Sequence, residues 1–132
     1  MGNKGSIVAW YMSYEKMVIE NMAADLPEFA GELEALLPRF RDLIVPFQKG
    51  SYAHPDFHGS ASIKKVLPVL VPSLSYGDLD IQEGTGASLA YERWMMGQTP
   101  DEEWKKTYDA LLKYCEFDTL AMVEILKIVK GV

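Results

Sequence analysis

"KYCEFDTLAMVEI", residues 113–125, is the stretch whose reading decides the rest. Tyr114 and Asp118 stand four positions apart, so a helix through this segment puts both on one face. Tyr-x-x-x-Asp is a sensible pair for a hydrolase of phosphodiesters. The carboxylate can ligate a divalent metal, and the phenol can orient an attacking water. The same spacing also arises on any solvated helix, and taken alone it favours an ordinary surface pair. The remainder of the chain has to decide between the two.

The 132 residues suit one domain spanning 1–132, and 48% hydrophobic with 24% charged residues permits a packed core. The net charge of −6 speaks against charge-driven binding of nucleic acid, which needs clustered Lys and Arg. It leaves room for an enzyme that holds nucleic acid through metal ions, which supply positive charge locally. A single cysteine, Cys115, excludes an internal disulfide and fits a reducing compartment. The most apolar run, "VLPVLVPSL", is short and carries Pro68 and Pro72, whereas a membrane span takes about 20 apolar residues. The expectation is a soluble, cytoplasmic protein with no membrane partner.

"SIVAWY" (6–11) reads as a buried strand. Ser13 is placed as the N-cap of a helix with Met17, Val18, Asn21 and Met22 at helical spacing. Pro27 starts a second helix, "PEFAGELEALLPRF", with Phe29, Leu33, Leu36 and Leu37 on one stripe. "RDLIVPF" is a short extended segment closed by Pro46, and "QKGSYAHPDFHGSAS" is a long loop. "SIKKVLPVLVP" is a helix capped by Ser62 and broken at Pro68 or Pro72. "SYGDLDIQEGTG" is a turn region, and "ASLAYERWMMG" is a helix stopped by Gly97. Helical pattern runs from 101 to 130, with a bend or break placed at Phe117 and Asp118. The fold class is α/β, mostly helical, with one firm strand.

Other candidate motifs have plainer readings. His54 and His58 flank Asp56, but Pro55 and Gly59 oppose the helix that a paired-histidine metal site needs, so a structural loop is expected. Ser62 and Lys65 form Ser-x-x-Lys without the companion motifs of acyl-transfer enzymes. "EGTGAS" lacks the Gly-Lys-Ser/Thr ending of a phosphate-binding loop. Cys115 has no base beside it and is expected to pack, and the Trp and Met residues at 94–96 are assigned to the core.

Taken together, "GSIVAWYMSYEK", "RDLIVPF", "YAHPDFHGSASIKKVLPVLVPSLSY", "GDLDIQEGTGA" and "LLKYCEFDTLAMVEI" resemble the C-terminal part of the bacterial family known as domain of unknown function 2779. That resemblance implies a branch of the ribonuclease H-like DEDD 3'-5' exonucleases, which carry three motifs. The first is Asp-x-Glu on the first strand. The second is an Asn followed by an acidic residue at a helix start; it falls on "WYMSYE" and gives Glu15. The third is Tyr-x-x-x-Asp; it falls on "YCEFD" and gives Tyr114 and Asp118. Asp42, after the next strand, would flank the site. Tyr11 stands where the family has Asn, and the strand with Asp-x-Glu has no counterpart in the sequence.

The resemblance therefore implies an incomplete ribonuclease H-like fold lacking the N-terminal strands. Glu15 and Asp118 would be ligands for Mg²⁺ or Mn²⁺ if the site were completed, Tyr114 would position water, and Lys64 and Lys65 would touch the phosphate backbone. The implied function is that of a truncated relative of metal-dependent exonucleases, inactive alone, with nucleic acid as a weak partner. The alternative is a non-catalytic protein-interaction domain, in which an open sheet edge pairs with a partner chain or a second copy.

Overall fold

A computed structural model describes residues 4–79 and 84–131. The chain is mostly helical with a small parallel sheet. Strand β1 (Ile7–Ala9) leads into helix α1 (Ser13–Asp25), a short helix α2 (Ala30–Glu34) and strand β2 (Phe40–Asp42). Helices α3 (Val45–Gln48), α4 (Ile63–Leu70), α5 (Gly84–Met95) and α6 (Asp101–Lys130) follow. The two strands pair in parallel with Ile7 opposite Phe40, Val8 opposite Arg41 and Ala9 opposite Asp42. The helical crossover between them makes a β-α-β unit, the connection that parallel pairing requires.

The first strand is shorter than the run from 6 to 11 suggests. It ends at Ala9, and Tyr11 turns the chain with φ of 66°. A tyrosine in the left-handed region is an outlier, whereas Asn is several-fold enriched there.

Ser13 is not the cap of α1. It is the first helical residue, Met12 precedes it, and neither makes a side-chain cap hydrogen bond. The cap comes from Asp42, thirty positions away. Its Oδ1 accepts from the Tyr11 N–H at 2.8 Å, and its Oδ2 accepts from the Met12 N–H at 3.0 Å. Oδ1 also accepts from the Ile44 N–H at 3.2 Å, tying the exit of β2 to the entry of α1. A carboxylate at a helix start also meets the positive end of the helix dipole.

The expected second helix divides into α2 and two single 3₁₀ turns, Pro27–Phe29 and Leu37–Arg39, with Pro first in one and second in the other. Phe29 is half exposed rather than buried. "RDLIVPF" contains β2, but Pro46 opens α3 instead of closing a strand, because its missing N–H costs nothing in a first helical turn. In the long loop, His54 Nδ1 accepts from the Asp56 N–H at 3.2 Å and its ring packs 5.7 Å from Phe57. The histidines there belong to a turn, as the loop reading holds. Trp10 anchors this loop: its indole N–H donates to the Ala61 carbonyl at 3.2 Å, and its ring lies 5.3 Å from that of Phe47.

Helix α4 carries Pro68 without breaking and ends only at Val71. Helix α6 runs through Phe117 and Asp118 without the expected break. No Pro or Gly falls between 101 and 130. Acidic residues occupy its first turn, Lys127 and Lys130 its last, and Gly131 closes it with φ of 68°.

The core lies where α4 crosses the C-terminal half of α6. Val66, Leu67, Ala121 and Ile125 are fully buried, with Leu43, Phe47, Phe57 and Tyr76 around them. Helix α1 contributes only Ala23 to the buried set, while Met17, Val18 and Met22 are exposed. The helical spacing of these residues is real, but nothing among the described residues covers them. Met95 and Met96 are likewise exposed, and Trp94 stacks on Trp104 at 4.6 Å at the edge of the α5–α6 pair rather than in the core. Cys115 is exposed, not packed.

Candidate functional site

Asp118 sits on α6 one turn beyond Tyr114, and both are half-buried. The pair lies on the flank of α6 that meets the connector between α4 and α5. Tyr76, in a 3₁₀ turn of that connector (Tyr76–Asp78), donates its hydroxyl to Asp118 Oδ1 at 2.5 Å. The Tyr76 ring packs edge-on against Phe117 at 4.8 Å and tilted against Tyr114 at 6.4 Å. Lys64 Nζ, from α4, is 5.9 Å from the Tyr76 ring centre, near the outer limit of a cation–π contact. Burial pushes the Tyr76 phenol above its ordinary range, and the hydrogen bond to the Asp118 carboxylate pushes it further. The phenol is therefore a donor throughout neutral pH.

Nothing local in the sequence marks Tyr76. Its partner is 42 positions away, and "SYGD" reads as a turn, which it is: Ser75 Oγ accepts from the Gly77 N–H at 3.1 Å. Only the fold shows that this turn is fastened to the acidic residue of "YCEFD".

Glu15 lies in the first turn of α1, delivered there by the turn at Tyr11. It lines a groove of about 390 Å³ with Ile7, Val8 and Ala9 of β1, Phe40 of β2, Tyr14, Val18 and Ile19 of α1, and Met122 of α6. Met122 is four residues beyond Asp118, so the two share a face of α6. Glu15 Oε2 is buried in this mostly apolar setting and has no hydrogen-bond partner among the described residues. An unpartnered buried carboxylate oxygen costs free energy unless something outside the chain satisfies it.

Asp42, expected to flank the site, is held by the backbone at the entry to α1. Both of its oxygens are engaged by backbone N–H groups as the cap of α1. Lys64 and Lys65 are exposed on α4, and Lys64 alone lies beside Tyr76. Among the described residues no three His, Cys, Asp or Glu side chains come together as an ion-holding group. The carboxylates of the described residues therefore do not by themselves make an ion-holding group. Among the described residues, no helix is long and apolar enough to cross a membrane.

Comparison with known proteins follows the same division of the chain. Residues 1–62 match the family model described as "Domain of unknown function (DUF2779)"; that segment holds both strands, Glu15 and Asp42. Tyr76, Tyr114 and Asp118 fall outside it. No solved structure matches. The chain is 28% identical over 136 residues to the "Uncharacterized protein MG366 homolog" of Mycoplasma pneumoniae, covering 95% of this chain and 20% of that protein. It is 29% identical over 132 residues to "Uncharacterized protein MG366" of Mycoplasma genitalium, covering 92% of this chain and 20% of that protein. "Uncharacterized protein UU173" of Ureaplasma parvum is 27% identical over 146 residues, covering 98% of this chain. The chain spans about a fifth of the length of these curated relatives, and in each the similarity takes in α6 as well as the segment that the family model matches.

Proposed function

We propose that residues 1–132 form a nuclease-related domain, a partial counterpart of metal-dependent 3'-5' exonucleases, inactive by itself. One observation carries this reading. Glu15 of the second motif holds a buried, unpartnered carboxylate oxygen in a groove that Met122 of α6 also lines, and Met122 stands one turn beyond Asp118 of the third, which does not itself line the groove. On this reading Glu15 and Asp118 are the metal ligands that this chain contributes, and Tyr114, one turn before Asp118 on α6, would position the water. Lys64 and Lys65 of α4 are the residues assigned to contact with a phosphate backbone. A bound Mg²⁺ or Mn²⁺ would supply charge stabilisation and an activated water. The carboxylates of the described residues are too few to hold it alone, and no catalytic step is assigned to them.

The direct test is an assay of the purified chain with Mg²⁺ or Mn²⁺ on end-labelled single- and double-stranded DNA and RNA. The expected result is no degradation above the buffer control. Metal-dependent degradation that Asp118→Asn abolishes would show the site to be complete and overturn this part of the reading.

A second reading is favoured by a different observation. β1 pairs with β2 on one edge only among the described residues, and Tyr14, Met17, Val18 and Met22 leave one side of α1 exposed. An open strand edge beside uncovered apolar surface suits a protein-interaction domain that accepts a strand from a partner chain or from a second copy. The two readings share this edge. They differ in whether the incoming strand brings the acidic residues that Glu15 and Asp118 lack.

A further inference from the structure

The connector between α4 and α5 meets α6 through Tyr76, which is 6% exposed. The ring is held by Phe117 and Tyr114, with Lys64 over its face, and its hydroxyl reaches Asp118 Oδ1. A ring fixed in this way leaves its hydroxyl little freedom of direction. An aspartate on a helix surface, by contrast, has several staggered rotamers open to it. We propose that Tyr76 is a positioning residue for Asp118: its hydroxyl holds one carboxylate oxygen, so that the α4–α5 connector, and not α6 alone, sets where the other oxygen points. The inference rests on the reading of Asp118 as a site carboxylate. It adds a residue that lies outside the three motifs and outside residues 1–62. Oriented carboxylates matter because a ligand held by hydrogen bonds in its binding rotamer loses less freedom on capturing an ion.

A buried phenol needs an acceptor in any case, so a plain staple between connector and helix would look the same in one structure. The roles separate in solution. In the ¹³C-labelled full chain, three-bond couplings report the χ1 rotamer of Asp118, and Mn²⁺ titration follows broadening of its carboxyl signal. The wild type is expected to show one Asp118 rotamer and a nuclear Overhauser contact from the Tyr76 hydroxyl proton to the Asp118 β protons. In Tyr76→Phe the chain stays folded, Asp118 averages over rotamers, and the Mn²⁺ concentration for half-maximal broadening rises about tenfold. Asp118→Asn keeps an acceptor for Tyr76, so its melting stays near wild type while broadening at residue 118 disappears. A single, unchanged Asp118 rotamer in Tyr76→Phe overturns the proposal, as does absence of the hydroxyl contact in the wild type, which needs no variant. Absence of any Mn²⁺ effect on Glu15 and Asp118 in the wild type counts instead against the nuclease-related reading, while the rotamer result still decides the role of Tyr76.

Discussion

Leu67→Ala is expected to destabilise the chain by about 3 kcal/mol, within the range measured for large-to-small changes at sealed positions. Leu67 is fully buried on α4, and Ile125, equally buried, belongs to the same cluster on α6. Removing the isobutyl group loses its transfer free energy and leaves a void that neighbours on two helices cannot both relax into. Ile125→Ala should cost about as much, and because the two residues share one core, the double variant should depart from additivity. Met17→Ala on α1 is the contrast: Met17 is 47% exposed, and its truncation should change stability by less than about 0.5 kcal/mol. Chemical denaturation of the three single variants and the double variant checks the location of the core. Equal costs at Leu67 and Met17 would move the core from α4–α6 towards the sheet.

Asp42→Ala is expected to cost about 2 kcal/mol, a loss combining a helix cap with N–H groups left unpaired. The carboxylate accepts from three backbone N–H groups; the one at Tyr11 is exposed and water can replace its partner, while those at Met12 and Ile44 are partly buried. Asp42→Asn keeps one acceptor oxygen and gives up the charge, so about half of that loss is expected. The result also discriminates between roles. A carboxylate reserved for a metal would be a burden in the metal-free chain, and its removal would leave stability unchanged or raised. A loss in the absence of any divalent ion identifies Asp42 as the cap.

Local signals in the sequence were sufficient where cause and effect lie close together. Gly97 ends its helix, and Pro27 starts a helical turn, though not the long helix expected there. They misled where the cause is remote. Ser13 has the chemistry of a cap, but Asp42 occupies that role from β2, and no pattern within one helix length records this. The break expected at Phe117 and Asp118 does not occur. In the structure Phe117 packs on Tyr76 and Asp118 accepts from it, so both face the connector and the helix continues. Met17, Val18 and Met22 have the spacing of a core face without the cover, since periodicity shows that a face is apolar and not what packs on it. For the candidate site, Glu15, Tyr114 and Asp118 were proposed from the resemblance, since the spacing of the last two alone favours an ordinary surface pair. Tyr76 was not, because a tyrosine in a turn acquires meaning only from the helix it touches.

The central claim is that this chain contributes Glu15 and Asp118 to one incomplete metal site. A crystal structure of the chain soaked in concentrated Mn²⁺, with anomalous scattering used to locate the ion, tests it most directly. The account predicts a partly occupied Mn²⁺ in the groove beside Met122, with Glu15 and Asp118 as its protein ligands, carboxylate oxygens within roughly 2.0–2.6 Å of the ion and water completing the shell. Ions bound only elsewhere on the surface, or Glu15 and Asp118 found on opposite faces of the molecule, would contradict it.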